Sequence, residues 1–134
     1  MKQLLILLFS VQLLTAQQLV QTDIFEVCYS TNKQQPLWLS YEVECPTVVI
    51  RKGLNFKKDV SFNGITSDNA DYYKNVWDKG HLAPAADFNC SYEKLRQTFT
   101  YLNCSLQHKK LNRGHLKNLE KYIKEAIQKV YLTV

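Results

Sequence analysis

The stretch that decides the reading of this chain is VWDKGHLAPAADF, residues 76–88. It sets a histidine, His81, directly after Asp78, Lys79 and Gly80, with Pro84 three residues further on. An isolated histidine of this kind most often makes a local hydrogen bond in a loop. An acid, a base and a glycine immediately before it suggest more. Histidine's free pKa lies near neutrality, so a neutral imidazole is available as a general base. The segment is expected to be a loop in which Gly80 lets the backbone turn tightly before His81, and in which Asp78 and Pro84 hold the turn still.

About thirty residues downstream lies the strongest helical pattern, LNRGHLKNLEKYIKEAIQKVYL, residues 111–132. Leu116, Leu119, Ile123, Ile127 and Val130 recur at three- and four-residue spacing, which predicts one apolar stripe packed on a core. The neighbouring face carries Asn112, Glu120 and Lys124. At ~100° per residue these three fall within about a third of a turn. Each has an ordinary reading too: Asn112 as a helix cap, Glu120 and Lys124 as solvated surface.

Elsewhere the pattern is less sharp. Residues 17–35 are polar and read as irregular. LWLSYEVEC, residues 37–45, alternates with period two and reads as a half-buried strand ended by Pro46. TVVI, residues 47–50, follows as another short strand, RKGLNFKKD as a basic loop, and residues 59–75 as a long one. SYEKLRQTF from Ser91 reads as helix, TYLNCS as a short extended piece, and Val130–Val134 as a strand.

The ends and the cysteines bear on where the chain works. Lys2, the apolar run Leu4–Leu14 and the small Ala16 make a secretory signal peptide over residues 1–16, too short to span a bilayer. The remaining 134 − 16 = 118 residues are long enough for one domain. Four cysteines, Cys28, Cys45, Cys90 and Cys104, suit disulfides in an exported chain better than a zinc site, since no CxxC occurs. Three pairings are open; the sequence-local one, Cys28–Cys45 with Cys90–Cys104, rests on proximity alone. The sequons at Asn89 and Asn103 each have cysteine in the middle and are weak. A formal charge of +5, about +4 without Lys2, is compatible with a polyanionic partner without demanding one.

Taken together, DKGHLAPAAD and LNRGHLKNLE resemble the DNA/RNA non-specific endonuclease family. Its signature is Asp-Arg-Gly-His with a nearby proline, followed by an Asn-x-Gly that opens a helix carrying Leu-Glu. The matching residues are Asp78, Lys79, Gly80, His81 and Pro84, then Asn112, Gly114, Leu119 and Glu120; Asn103 and Gln107 match the segment between. The resemblance implies an α+β fold with a ββα-metal core and an antiparallel sheet. It further implies sequence-indifferent hydrolysis of DNA and RNA phosphodiesters, leaving a 5′-phosphate. His81 is then the general base and Asn112 the ligand of a hydrated Mg²⁺, with Mn²⁺ as a substitute. Glu120 holds metal-bound waters, Asp78 supports the catalytic segment and Lys79 contacts phosphate. Arg51, Lys52 and Lys124 are further phosphate contacts. Magnesium keeps most of its waters and needs few protein ligands, so one amide oxygen is chemically sufficient. His108 and His115 have no place in the pattern and read as surface residues.

Two features depart from the family. Lysine stands at position 79 where arginine is usual, and it grips phosphate as a point charge rather than a fork. The chain also ends at KVYLTV, where family members continue into a Gly-Pro turn and more sheet, so residues 17–134 are expected to be an N-terminal portion, truncated at the C-terminus. The expectation is a secreted, metal-dependent endonuclease, free of the membrane once its leader is cut. Its rivals are a catalytically weak or inactive secreted nucleic-acid-binding protein of the same fold, and an exported disulfide-stapled interaction module. Oligomeric state is not legible.

Overall fold

The computed structural model describes residues 16–43, 53–88 and 90–131. The expectations for most of the signal peptide, for the strand at 47–50, and for Cys45, Arg51, Lys52 and Asn89 fall outside these residues.

Three strands form the first sheet: β1 (Gln17–Gln21), β2 (Glu26–Ser30) and β3 (Gln35–Ser40), antiparallel with β2 in the middle. Residues 17–35 are therefore mostly strand and not irregular. Local polarity misleads here because β1 is an edge strand with exposed side chains, while its backbone pairs from Gln17↔Ser30 to Gln21↔Glu26. The Thr22 hydroxyl closes the connection, donating to the Phe25 carbonyl and accepting from the Phe25 amide. The third strand starts before the expected 37–45 stretch and stops short of its end, at Ser40, with Tyr41 and Val43 beyond it. Alternating burial holds at Leu39, Tyr41 and Val43 but not at Leu37, which is exposed.

The core lies on one face of this sheet. Val27 and Tyr29 point inward from β2 and meet Ile24, Phe25, Ala83, Phe88 and Leu102. Burying a side chain such as Phe88 or Leu102 stabilises by about 1.5–3 kcal/mol. The Tyr29 hydroxyl accepts from the Ser67 amide at 3.2 Å and ties the long loop to the sheet.

A second sheet pairs β4 (Trp77–His81) with β5 (Cys104–His108), antiparallel, in register from Trp77↔His108 to His81↔Cys104. The segment before His81 is thus a strand rather than a loop. Its partner supplies the ladder, which period-two polarity in WDKGH does not advertise. Between the two strands run a short turn of 3₁₀ helix at Ala85–Asp87, helix α1 (Tyr92–Gln97) and a second 3₁₀ turn at Tyr101–Asn103. The Ser91 side chain caps α1 by accepting from Lys94 N.

After β5 the chain enters a wide π-helical segment, Leu111–Leu116, continuous with helix α2 (Lys117–Tyr131). Strands β4 and β5 with this helix compose the ββα unit, so the α+β expectation is met. Two details differ. Residues 130 and 131 continue the helix instead of starting a strand. Among the described residues the apolar stripe is only partly covered: Leu116, Ile123 and Ile127 are half-buried and Leu119 is 52% exposed. Among the described residues, the main contacts of helix α2 are with the adjoining segment 111–116.

The cysteines also differ from expectation. Cys28 and Cys104 are free thiols, so neither local pairing forms, whereas Cys90 is in a disulfide. Cys104 is buried, its Sγ 3.3 Å from the Tyr72 hydroxyl, and burial pushes its thiol up to about 11. Asn103 is fully buried, which closes its sequon in the folded protein.

Candidate active site

His81 ends strand β4 and faces a cleft. Its ring packs in a cluster with two aromatic rings that also touch each other, 4.6 Å from Phe56 and 4.7 Å from Phe99, the latter edge-on. Nε2 is buried. Such packing restricts the imidazole to a narrow range of orientations. The backbone around it is fixed from behind. Asn103 accepts from the Ala83 amide at 2.7 Å and donates to the carbonyls of Ala83 and Thr98. Gln107 donates to the His81 carbonyl and to Ser105. Gly80 owes its identity to that same glutamine: a Cβ at Gly80 would overlap the Gln107 side chain. The glycine serves close packing across the strand pair, not a turn.

Asp78, on the same strand, reaches the helix. Arg113 Nε and Nη2 donate to its two oxygens, each at 2.8 Å, and Asn112 Nδ2 donates to Oδ2 at 3.1 Å. The Arg113 fork, with the Asn112 amide, holds the Asp78 carboxyl below its ordinary range against partial desolvation. This arrangement orients Asn112. A carboxylate only accepts, so the amide must turn its nitrogen to Asp78, which leaves the carbonyl oxygen as the atom that could hold a cation. That is the group a hard cation requires. Among the described residues no cluster of three or more His, Cys, Asp or Glu forms a metal site. The one amide oxygen that Asn112 turns away from Asp78 is a donor that could hold a largely hydrated ion.

The wide segment sets the helix phase. A turn closed by i→i+5 hydrogen bonds takes up one residue more than an α-turn. On a plain α-helix, Asn112 and Glu120 would stand roughly 80° apart; with one residue absorbed they behave as i and i+7, roughly 20° apart. Both line the cleft, as does Lys124.

Lys79 also lines the cleft, but with its own attachments. Its ammonium donates to Asn69 Oδ1 and lies 5.8 Å from the rings of both Tyr72 and Tyr101. The Tyr101 hydroxyl donates to the same Asn69 oxygen at 2.8 Å.

The cleft, of about 870 Å³, therefore gathers Lys79, His81, Asn112, Glu120 and Lys124, with Asp78 supporting Asn112 from beside it. Of the surface histidines, His115 is exposed, and His108 is half-buried with its ring edge-on to Trp77 at 5.8 Å. Sequence reasoning missed Arg113, Lys117 and Lys121 on the cleft wall, and Asn69, Phe56 and Phe99 behind it. Arg113, adjacent to Asn112, could have been found as a charge beside a ligand. Nothing in the sequence marks Asn69 or Phe56.

A family model described as DNA/RNA non-specific endonuclease matches residues 8–134. The chain belongs to the DNA/RNA non-specific endonuclease family. Among relatives of this family, the chain is 30% identical over 105 residues to "Nuclease EXOG, mitochondrial" of Danio rerio, covering 75% of this chain and 31% of that one. It is 30% identical over 122 residues to "Endonuclease G, mitochondrial" of Homo sapiens, covering 86% and 41%. A solved chain from the crystal structure of the EndoG/EndoGI complex superposes with a TM-score of 0.69 at 24% identity, over 80% of this chain and 46% of that one. That likeness shows the shared endonuclease fold. The chain spans about a third to two fifths of the length of these curated relatives.

Proposed function

We propose that this chain carries the phosphodiester-hydrolysing centre of an exported, Mg²⁺-dependent endonuclease acting on DNA and RNA without sequence preference. One observation supports the reading above others: His81 and Asn112 stand on the two walls of one basic cleft, each held in place by its neighbours. With Nε2 buried, Nδ1 is the imidazole nitrogen that accepts a proton from an attacking water. Asn112 would hold the ion through its carbonyl oxygen and Glu120 would hold the ion's waters. When bound, Mg²⁺ supplies positive charge against the scissile phosphate and the departing 3′ oxygen. Lys79 and Lys124 contribute fixed positive charge to the phosphate, as do Arg51 and Lys52 in the same proposal. Contacts confined to phosphate carry no sequence information, which accounts for indifference to base. Export rests on Lys2, Leu4–Leu14 and Ala16, and N-terminal sequencing of the secreted product tests it.

The deciding experiment is a His81→Ala variant of the full chain incubated with plasmid DNA and with RNA, with and without chelator. Loss of Mg²⁺-dependent cleavage with an unchanged circular-dichroism spectrum is expected. Retained cleavage sinks the assignment. A parent protein that retards nucleic acid without shortening it would leave a binding protein of the same fold.

A further inference from the structure

The cleft's helical wall holds more positive charge than a single scissile phosphate requires. Besides Lys124, Lys117 and Lys121 line it, and neither has a place in the catalytic arrangement. The three lie at i, i+4 and i+7, within roughly 60° of one another around the helix, and they span about 10 Å of its length. Among the described residues, the neighbouring charges compensate this row only weakly. Arg113 is already matched by Asp78 in a two-bonded pair. Among the described residues, Glu120 is the single acid lining the cleft. Lys121 approaches Glu125 at 3.7 Å, but with side chains 78% and 54% exposed, so solvent screens that pair heavily. A row of cations at regular spacing that begins beside Asn112 and runs away from it matches a polyanion's repeating charge.

We infer that Lys117 and Lys121, with Lys124, form a phosphate-tracking rail along α2 that carries the nucleic-acid strand flanking the cleavage point. The inference rests on the nuclease reading for the identity of the polyanion, and it adds the path that the substrate takes. The rail contacts successive backbone phosphates, so it lengthens the footprint without adding base preference. It also makes affinity fall steeply with salt, because each neutralised phosphate releases counterions.

The test measures binding of the full chain to a fluorescein-labelled single-stranded oligonucleotide by anisotropy. Chelator is present throughout, and salt is varied between about 50 and 200 mM. Each single-strand phosphate contact adds about 0.7 to the slope of log affinity against log salt. Lys117→Ala/Lys121→Ala is expected to flatten the slope by about 1.4. Lys33→Ala, an exposed lysine away from the cleft, controls for net charge. A double variant whose slope matches the parent, or falls no further than Lys33→Ala, overturns the rail. Plasmid cleavage with Mg²⁺, run in parallel on the parent, separates the two readings. Cleavage with an unaltered slope in the double variant removes the rail alone. A flattened slope without cleavage by the parent supports the rail and removes only the nuclease activity. No binding by the parent overturns both.

Discussion

Asp78 and Arg113, 35 residues apart, are joined by two parallel hydrogen bonds of 2.8 Å, and the same carboxylate takes a third from Asn112. Strand β4 and the start of the helix are thereby fastened at the point where the proposed ligand amide sits. Asp78→Asn removes the acceptor-only group that forces the Asn112 oxygen outward. The Mg²⁺ concentration for half-maximal cleavage is expected to rise about 10- to 100-fold, the usual cost of losing a group that orients a metal ligand. A Mg²⁺ titration of plasmid cleavage checks this, and an unchanged requirement would show that Asn112 orients itself.

The same pair makes stability depend on acid. Arg113 holds the folded-state pKa of Asp78 below its unfolded value, so the folded state binds the proton more weakly. The stabilisation is complete above the unfolded pKa, about 3.9. It is lost as pH falls through the lower folded-state value. In urea unfolding, the stability gap between the parent and Asp78→Asn should be constant from pH 6 down to about pH 4 and shrink below it. A gap that widens on acidification contradicts the assignment.

Gly80 and Gln107 should be coupled. Gly80→Ala places a methyl group where the Gln107 side chain crosses the strand, and overpacking of this kind costs about 1–3 kcal/mol. Combining it with Gln107→Ala removes the overlap, so the double variant should lose less than the sum of the single losses. Additive losses in a urea double-mutant cycle would mean that the glycine is needed for its backbone instead.

Lys79 is held by Asn69, a residue outside every motif. Asn69→Ala frees the ammonium from the acceptor it shares with Tyr101. A hydrogen bond to a charged group contributes about 1.5–3 kcal/mol. If only part of that bears on the transition state, kcat/KM should fall about tenfold. Steady-state kinetics on plasmid DNA measure it. Unchanged kcat/KM would indicate that Lys79 works without its support.

The legible part of this molecule is its chemistry-bearing residues, because their types and spacing are constrained by the reaction. His81, Asn112, Glu120 and Lys124 could be named from the chain alone, and one cleft brings them together. What stayed hidden depends on partners distant in sequence. Strand β4 is invisible in WDKGH because its ladder comes from β5, 23 residues beyond His81 at Cys104. The edge strand β1 has an exposed, polar pattern that resembles a loop. Asn69 and Phe56 reach the site across long loops, and no periodicity reports such a contact. The apolar stripe of α2 shows the reverse: its helical period is legible in the chain, yet Leu119 is exposed and Leu116, Ile123 and Ile127 are only half-buried.

The wide turn at Leu111–Leu116 also bears on which insertions and deletions this chain tolerates. Removing one residue there would let the segment relax into an ordinary α-helix, a gain by local criteria. Glu120 would then stand seven residues from Asn112 on a plain α-helix, still roughly 20° away, and the lysine row would keep its side of the cleft. Straightening the segment with its residue count intact is what would swing Glu120 roughly 80° from Asn112. A relative one residue shorter in this segment can therefore keep its acid on the same side of the helix, at a spacing that no longer matches letter for letter.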